Sequence, residues 1–414
     1  MYSASQMSTS PLRSAHSDFA QQLERWRADT PGCERRVHLN NAGAALMPRP
    51  VRAAIDDHLN LETEIGGYEA AEQRADEIAA VYADVARLLG AQVRNVALMQ
   101  NSTVGFAQAL STFDFEPGDR IVTTRADYAS NQIMYLSLAR RRRIEIVRAA
   151  DLPEGGVDPD SVRDILRQRP AALVSVSWVP TNSGLVQDAE SIGTVCAEAG
   201  VPYLVDACQA IGQIPIDVGR LRCDYLAAAA RKFLRGPRGI GFLYASDKVL
   251  AAGAYPLLVD MHGATWTDPD TFMLTPDARR FETWEFSHAL VFGLGAAARY
   301  ALDVGVETAG RRARHLAARA RAGLAAVPGV RVLDRGRELC AIVTAELAGR
   351  HAKGVKLELR RRGVNASSPE RDDAVLDMDA KGAASALRIS PHYYNTDAEI
   401  DRAISEIRNI MGVP

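Results

Sequence analysis

One stretch, Tyr203 to Tyr244 (YLVDACQAIGQIPIDVGRLRCDYLAAAARKFLRGPRGIGFLY), constrains this chain more than any other. A short apolar run closes on an acid, Asp206, with Gln209 three residues further on. A second apolar run, Tyr225 to Ala230, delivers the chain to Lys232. Short apolar runs bounded by polar turns read as strands buried on both faces. Such runs recur at 96–99, 120–123, 145–147, 172–176, 203–206, 225–228 and 241–243, with helical periodicity at 103–113, 130–142, 158–168 and 188–199. This alternation predicts an α/β fold: a mostly parallel seven-stranded sheet, covered by helices, with its sites at the strand ends.

The flanks read differently. Residues 1–16 are a polar tail, expected to be disordered. Residues 17–60 form an N-terminal segment that opens with a helix carrying Phe19, Leu23 and Trp26, continues through HLNNAGAALMPRPV (38–51), and packs near the C-terminal domain. The large domain spans 61–290. A small α+β domain takes 291–414 and begins with a long linking helix, since 290–328 reads as one helical stretch.

Composition narrows the partners. The formal net charge of −2 makes no case for nucleic acid or an anionic membrane, and Arg140 to Arg143 reads as the solvated end of a helix. No apolar span of about 18 residues predicts a membrane crossing. The five cysteines show neither C-x-x-C pairing nor zinc spacing, so the expectation is a cytoplasmic protein without a structural metal.

Lys232 is the chemical signal. Only five of the 49 basic residues are lysine, and Arg231, Arg235 and Arg238 surround this one. A lysine kept among arginines points to chemistry that a guanidinium cannot do. A primary amine condenses with an aldehyde, and low polarity plus neighbouring cations lower its pKa towards that task. A surface lysine after a buried strand is the bland alternative. The carboxylate of Asp206 suits the far end of a pyridoxal phosphate ring, where it keeps the pyridinium nitrogen protonated.

Strand–Asp–x–x–Gln, then Lys followed by GP-x-GIG-x-LY, resembles the core of the class V aminotransferases, pyridoxal 5'-phosphate enzymes of fold-type I. The resemblance runs from about Asn40 to the C-terminus. It implies that Ser102 and Thr103, which open a helix after a strand, grip the cofactor phosphate, although the same residues serve as ordinary helix caps. It places Tyr128 over the pyridine ring and makes Asn182, Asp206, Gln209, Arg231 and Lys232 cofactor-binding, with Lys232 catalytic. It brings Asn41, Ala42 and Gly43 to the substrate and assigns Arg388 to the substrate carboxylate, for which a guanidinium fork has bidentate geometry. Trp178 is either a pocket wall or core. Relatives carry a serine where Ala229 stands, so the phosphate site is completed by Arg231 or by a partner subunit. Residues 280–287 match a segment at the dimer interface, which implies a homodimer with composite active sites.

Within this family, cysteine desulfurases hold a nucleophilic cysteine on the loop that is here residues 363–372 (GVNASSPERD), which contains none. That disfavours a persulfide-forming desulfurase. The segments NNAGAA (40–45) and RKFLRGPRG (231–239) resemble the hercynylcysteine-sulfoxide-lyase-like group. The expected reaction is therefore β-elimination of a cysteine conjugate or sulfoxide, a small-molecule amino-acid substrate, with the α-proton passing to Lys232. Epimerisation, with Tyr128 or His392 as a second base, is the runner-up; transamination or a biosynthetic carbon–carbon or decarboxylation reaction is also open. A cofactor sensor fused to a DNA-binding domain is disfavoured, because too few residues precede His38 for such a domain.

Overall fold

The structure is a computed structural model and describes residues 11–413. The first helix runs Pro11–Ala28 and takes in residues 11–16, which the composition assigned to the tail; residues 1–10 lie outside the described residues.

Seven strands make the main sheet: β1 (Val96–Met99), β2 (Arg120–Thr123), β3 (Glu145–Arg148), β4 (Leu173–Ser177), β5 (Tyr203–Asp206), β6 (Tyr225–Ala229) and β7 (Gly241–Ala245). Their order is β1-β7-β6-β5-β4-β2-β3. All neighbours are parallel except β7, which runs antiparallel to both β1 and β6. Every residue of the six strands other than β3 is buried, as a sheet covered on both faces requires; β3 is the half-exposed edge. Helices Ser102–Leu110, Ala129–Arg142, Pro159–Gln168 and Ala189–Ala199 supply the cover. Asn101, Asp158 and Asp188 cap the N-termini of three of them with side-chain oxygens. Arg140, Arg141 and Arg142 end the helix that precedes β3 and point to solvent.

After the sheet, helices His288–Val304 and Val306–Ala325 meet at 78°. The break falls on Gly305, whose φ of +79° no other residue type adopts cheaply, so the expected single helix is two. Beyond it, strands Val330–Val332, Val343–Leu347 and Leu387–Ile389 form an antiparallel sheet backed by helices Ala352–Arg361 and Asp397–Met411 over a second apolar core. The N-terminal segment joins that region directly. Val37 and His38 pair in parallel with Val364 and Asn365, and Asn40 bridges Ser390. A hairpin that the sequence reading missed, Ala264–Asp268 with Thr271–Leu274, projects from the molecule with Trp266 79% exposed. No single helix among the described residues is long and apolar enough to cross a membrane.

Candidate active site

Strand β6 delivers the chain to Lys232 through a tight turn. The Gly236 amide donates to the Ala230 carbonyl (2.8 Å) and the Arg235 amide to the Lys232 carbonyl (2.9 Å). Arg235 clamps this turn from behind. Fully buried, it donates to Tyr393 Oη (2.6 Å), Thr30 Oγ1 (2.6 Å) and the Leu46 carbonyl (2.9 Å), with its guanidinium over the Tyr394 ring. Lys232 is buried, its Nζ 5.8 Å from the centre of the Tyr128 ring. Burial pushes the ammonium below the usual lysine pKa; Arg231 and Arg388 add to that push, while Cys208 and Asp206 oppose it.

Asp206 ends β5 and faces the same space. Its Oδ1 accepts from the Cys208 amide (2.9 Å), and its Oδ2 accepts from Asn131 Nδ2 (3.1 Å) and Ser177 Oγ (3.4 Å). Behind it stands a second acid, Asp127, which the sequence reading passed over. Asp127 accepts from Ser177 Oγ (2.6 Å), Thr123 Oγ1 (2.9 Å), Gln132 Nε2 (2.9 Å) and the Tyr128 amide (2.7 Å). Burial raises its pKa and those donors hold it down. Ser177 and Asn131 touch both acids, so Asp206 is oriented by a connected network.

The helix Ser102–Leu110 points its N-terminus at this space. Asn101 is the cap, accepting from the Val104 amide (3.0 Å), so neither Ser102 nor Thr103 is the capping residue. Ser102 is buried and Thr103 exposed. Their amide N–H groups lie in the first turn, where the helix offers no acceptor, so the end suits an anion. Arg231 turns one guanidinium nitrogen to the Gly43 carbonyl, and its own carbonyl accepts from the Ala45 amide (2.9 Å).

Arg388, on strand Leu387–Ile389, is a second cation that acts on Lys232. It is buried, and its hydrogen bonds go to neutral oxygens: the Thr181 carbonyl (2.8 Å), Thr181 Oγ1 (2.8 Å) and Asn40 Oδ1 (3.3 Å). Burial drops its pKa to about 10, and its Nε has no partner. A buried guanidinium among neutral groups is costly unless an anion arrives. Gln209 donates to the Ala42 carbonyl (3.0 Å) and Thr181 Oγ1 (2.9 Å), leaving its buried Oε1 unpaired.

Several expected residues turn elsewhere. Asn182 donates from Nδ2 to Asp377 (2.5 Å) and its buried Oδ1 has no partner, while Thr181, one residue earlier, meets Gln209 and Arg388. Asn41 is wholly buried between the Ser390 carbonyl (2.7 Å) and the Tyr394 hydroxyl (2.5 Å), and anchors its segment. Ala42 and Gly43 offer carbonyls to Gln209 and Arg231, while Asn40 supplies the side chain. Trp178 lies in the main apolar core. His392 donates from Nε2 to the Phe233 carbonyl (2.8 Å) and accepts at Nδ1 from the Tyr393 amide (2.9 Å). Burial, with Arg235 nearby, pushes its pKa down to about 3, which removes it as a second base.

These groups fit pyridoxal phosphate: a buried amine, an oriented carboxylate, an aromatic face at Tyr128 and an anion-binding helix end, with Gln209 Oε1 and Arg388 Nε still unsatisfied. Lys232 would hold the aldehyde carbon, Asp206 the ring nitrogen, and Ser102 and Thr103 the phosphate. The chain is 26% identical to a probable cysteine desulfurase of Methanothermobacter thermautotrophicus, over 94% of this chain and 98% of that one. It is 29% identical to a probable hercynylcysteine sulfoxide lyase of Mycobacterium tuberculosis, over 91% of each. Its fold superposes on the apo cysteine desulfurase of Thermococcus onnurineus with a TM-score of 0.86 at 24% identity, covering 94% of this chain and 98% of that structure. Residues 37–403 match the family model described as Aminotransferase class-V, and the chain belongs to that family of pyridoxal-phosphate enzymes.

Proposed function

We propose that this enzyme cleaves the carbon–sulfur bond of a cysteine conjugate or sulfoxide by β-elimination. When bound, pyridoxal phosphate supplies an electron sink for the pair left at Cα by a departing proton. Arg388 binds the substrate carboxylate and fixes its orientation, with Thr181 and Asn40 holding the guanidinium in place. Lys232 Nζ, kept by burial below the usual lysine pKa, takes the α-proton. The electron pair then expels the β-sulfur group, and hydrolysis of the three-carbon fragment yields pyruvate and ammonia. Asp206, oriented by Asn131 and the Cys208 amide, would accept a hydrogen bond from the ring nitrogen, which strengthens the ring as an electron sink.

The observation that carries this reading is the state of the thiols. The loop 363–372 has no cysteine. Cys33, Cys196, Cys223 and Cys340 are buried, and Cys208, the one beside Lys232, has its thiol pushed up to about 11, chiefly by burial. A neutral thiol is a poor acceptor for substrate sulfur. The relatives named above include both desulfurases and a sulfoxide lyase, so the carbon product decides. Given a cysteine S-conjugate or sulfoxide, the enzyme is expected to release pyruvate and ammonia. Alanine with a protein persulfide would establish a desulfurase, a D-amino acid an epimerase using Tyr128, and a keto acid with retained sulfur a transaminase.

The proposal includes a homodimer with composite active sites. Ala229 leaves the phosphate cradle short of a hydroxyl. Leu257, Leu258 and Met261 lie exposed in the stretch that precedes the projecting hairpin, which exposes Trp266; an apolar surface of this kind marks an interaction site.

A further inference from the structure

We propose that His58, Glu62 and His288 form a binding site for a divalent transition metal of the zinc class, clipping helix Arg49–Ile65 to helix His288–Val304. One candidate ligand atom from each residue lies within 4.8 Å of the others. His58 and Glu62 are four residues apart on one helix and share a face; His288 opens the helix packed against it. The His58 imidazole is wholly buried, its ring 4.6 Å from that of Phe292, and its Nδ1 has no hydrogen-bond partner. Its Nε2 stands 3.1 Å from Glu62 Oε1. Metal bonds of about 2.0–2.1 Å in a tetrahedron set ligand atoms roughly 3.3 Å apart, so this pair already stands at ligand spacing.

Two histidines and one glutamate are a zinc donor set that leaves a fourth position open. Glu62 and His288 line an open cavity of about 690 Å³, which gives a route for the ion and room for a water ligand. The neighbouring cation, Arg74, is engaged with Glu77 (2.6 Å) and with the Phe292 face (3.7 Å). The same cavity holds a second histidine–glutamate pair, His262 and Glu282 at 2.9 Å. That pair needs no metal, because Glu282 also accepts from the Leu98 amide (2.6 Å) and Tyr82 Oη (3.0 Å). His58 differs: it is wholly buried with Nδ1 unpaired, and its one ion-pair partner is Glu62.

The test uses the cofactor-loaded enzyme after chelator treatment, titrated with Co²⁺ and Zn²⁺. One Co²⁺ per chain is expected at micromolar concentration, with the visible bands of a low-symmetry four-coordinate ion, displaced by Zn²⁺. His288→Ala and Glu62→Gln are each expected to weaken binding by more than the roughly 10–100-fold typical of losing an outer-shell partner. His262→Ala is expected to leave binding unchanged, and circular dichroism with the cofactor spectrum checks that each variant is folded. Absence of stoichiometric binding by the wild type overturns the proposal. So does binding that survives both His288→Ala and Glu62→Gln, or that follows His262.

Discussion

Two acids are linked through Ser177, and only Asp206 acts on the charge of Lys232. Asp206 shares Ser177 and Asn131 with Asp127, so its carboxylate is fixed by a network that Asp127 anchors. Replacing Asp206 with Asn is expected to keep the cofactor bound while lowering turnover about 10–100-fold, or about 1.4–2.7 kcal/mol, as single-turnover rates would report. Undiminished turnover would make Asp206 structural. Replacing Arg388 with Ala is expected to raise KM for every amino-acid substrate whatever its side chain, because only the shared carboxylate loses its partner. A rise confined to one substrate would contradict that role. Borohydride is expected to fix the cofactor on Lys232, read by peptide mapping; labelling at another lysine would overturn the site. Lys232 and Asp206 stood out in the sequence because each closes an apolar run, whereas Gln209 and Arg388 were singled out through the family resemblance. Asn40, Thr181, Asp127 and Asn131 were not: Asn40 and Asn41, or Thr181 and Asn182, are adjacent polar residues, and only the backbone's course decides which points inward.

At the scale of elements, the strands of the main sheet and the helices between them were legible almost to the residue, since burial on both faces leaves continuous apolar runs. The break at Gly305 was not, because a single glycine inside an alanine-rich periodic stretch is also compatible with an uninterrupted helix. The hairpin 264–274 escaped for the opposite reason: its residues are mostly exposed and show no core-facing alternation. Gly212 shows how closely the lysine turn is packed. With φ +85°, it lies so near Phe233 and Leu234 that an added Cβ would stand 2.5 Å from the Leu234 nitrogen. Gly212→Ala is expected to destabilise the protein by about 1–3 kcal/mol and to displace the segment carrying Lys232. Urea denaturation reads the first effect, and a shifted cofactor absorbance the second.

At the scale of the whole molecule, the exposed surface around Trp266, Leu257 and Leu258 is expected to be covered by a second copy of the chain. Sedimentation should give a dimer, and Trp266→Lys combined with Leu258→Asp should shift it to monomer and lower activity together. An active wild-type monomer would contradict the composite site. The bond between the Asn41 amide and the Ser390 carbonyl carries a different consequence: it joins residues 349 positions apart. Asn41 meets this partner only after the 349 positions that separate them have been made. Closing so long a loop comes late, so a nascent chain stalled before residue 390 carries Lys232 without the Asn41–Ser390 anchor beside it.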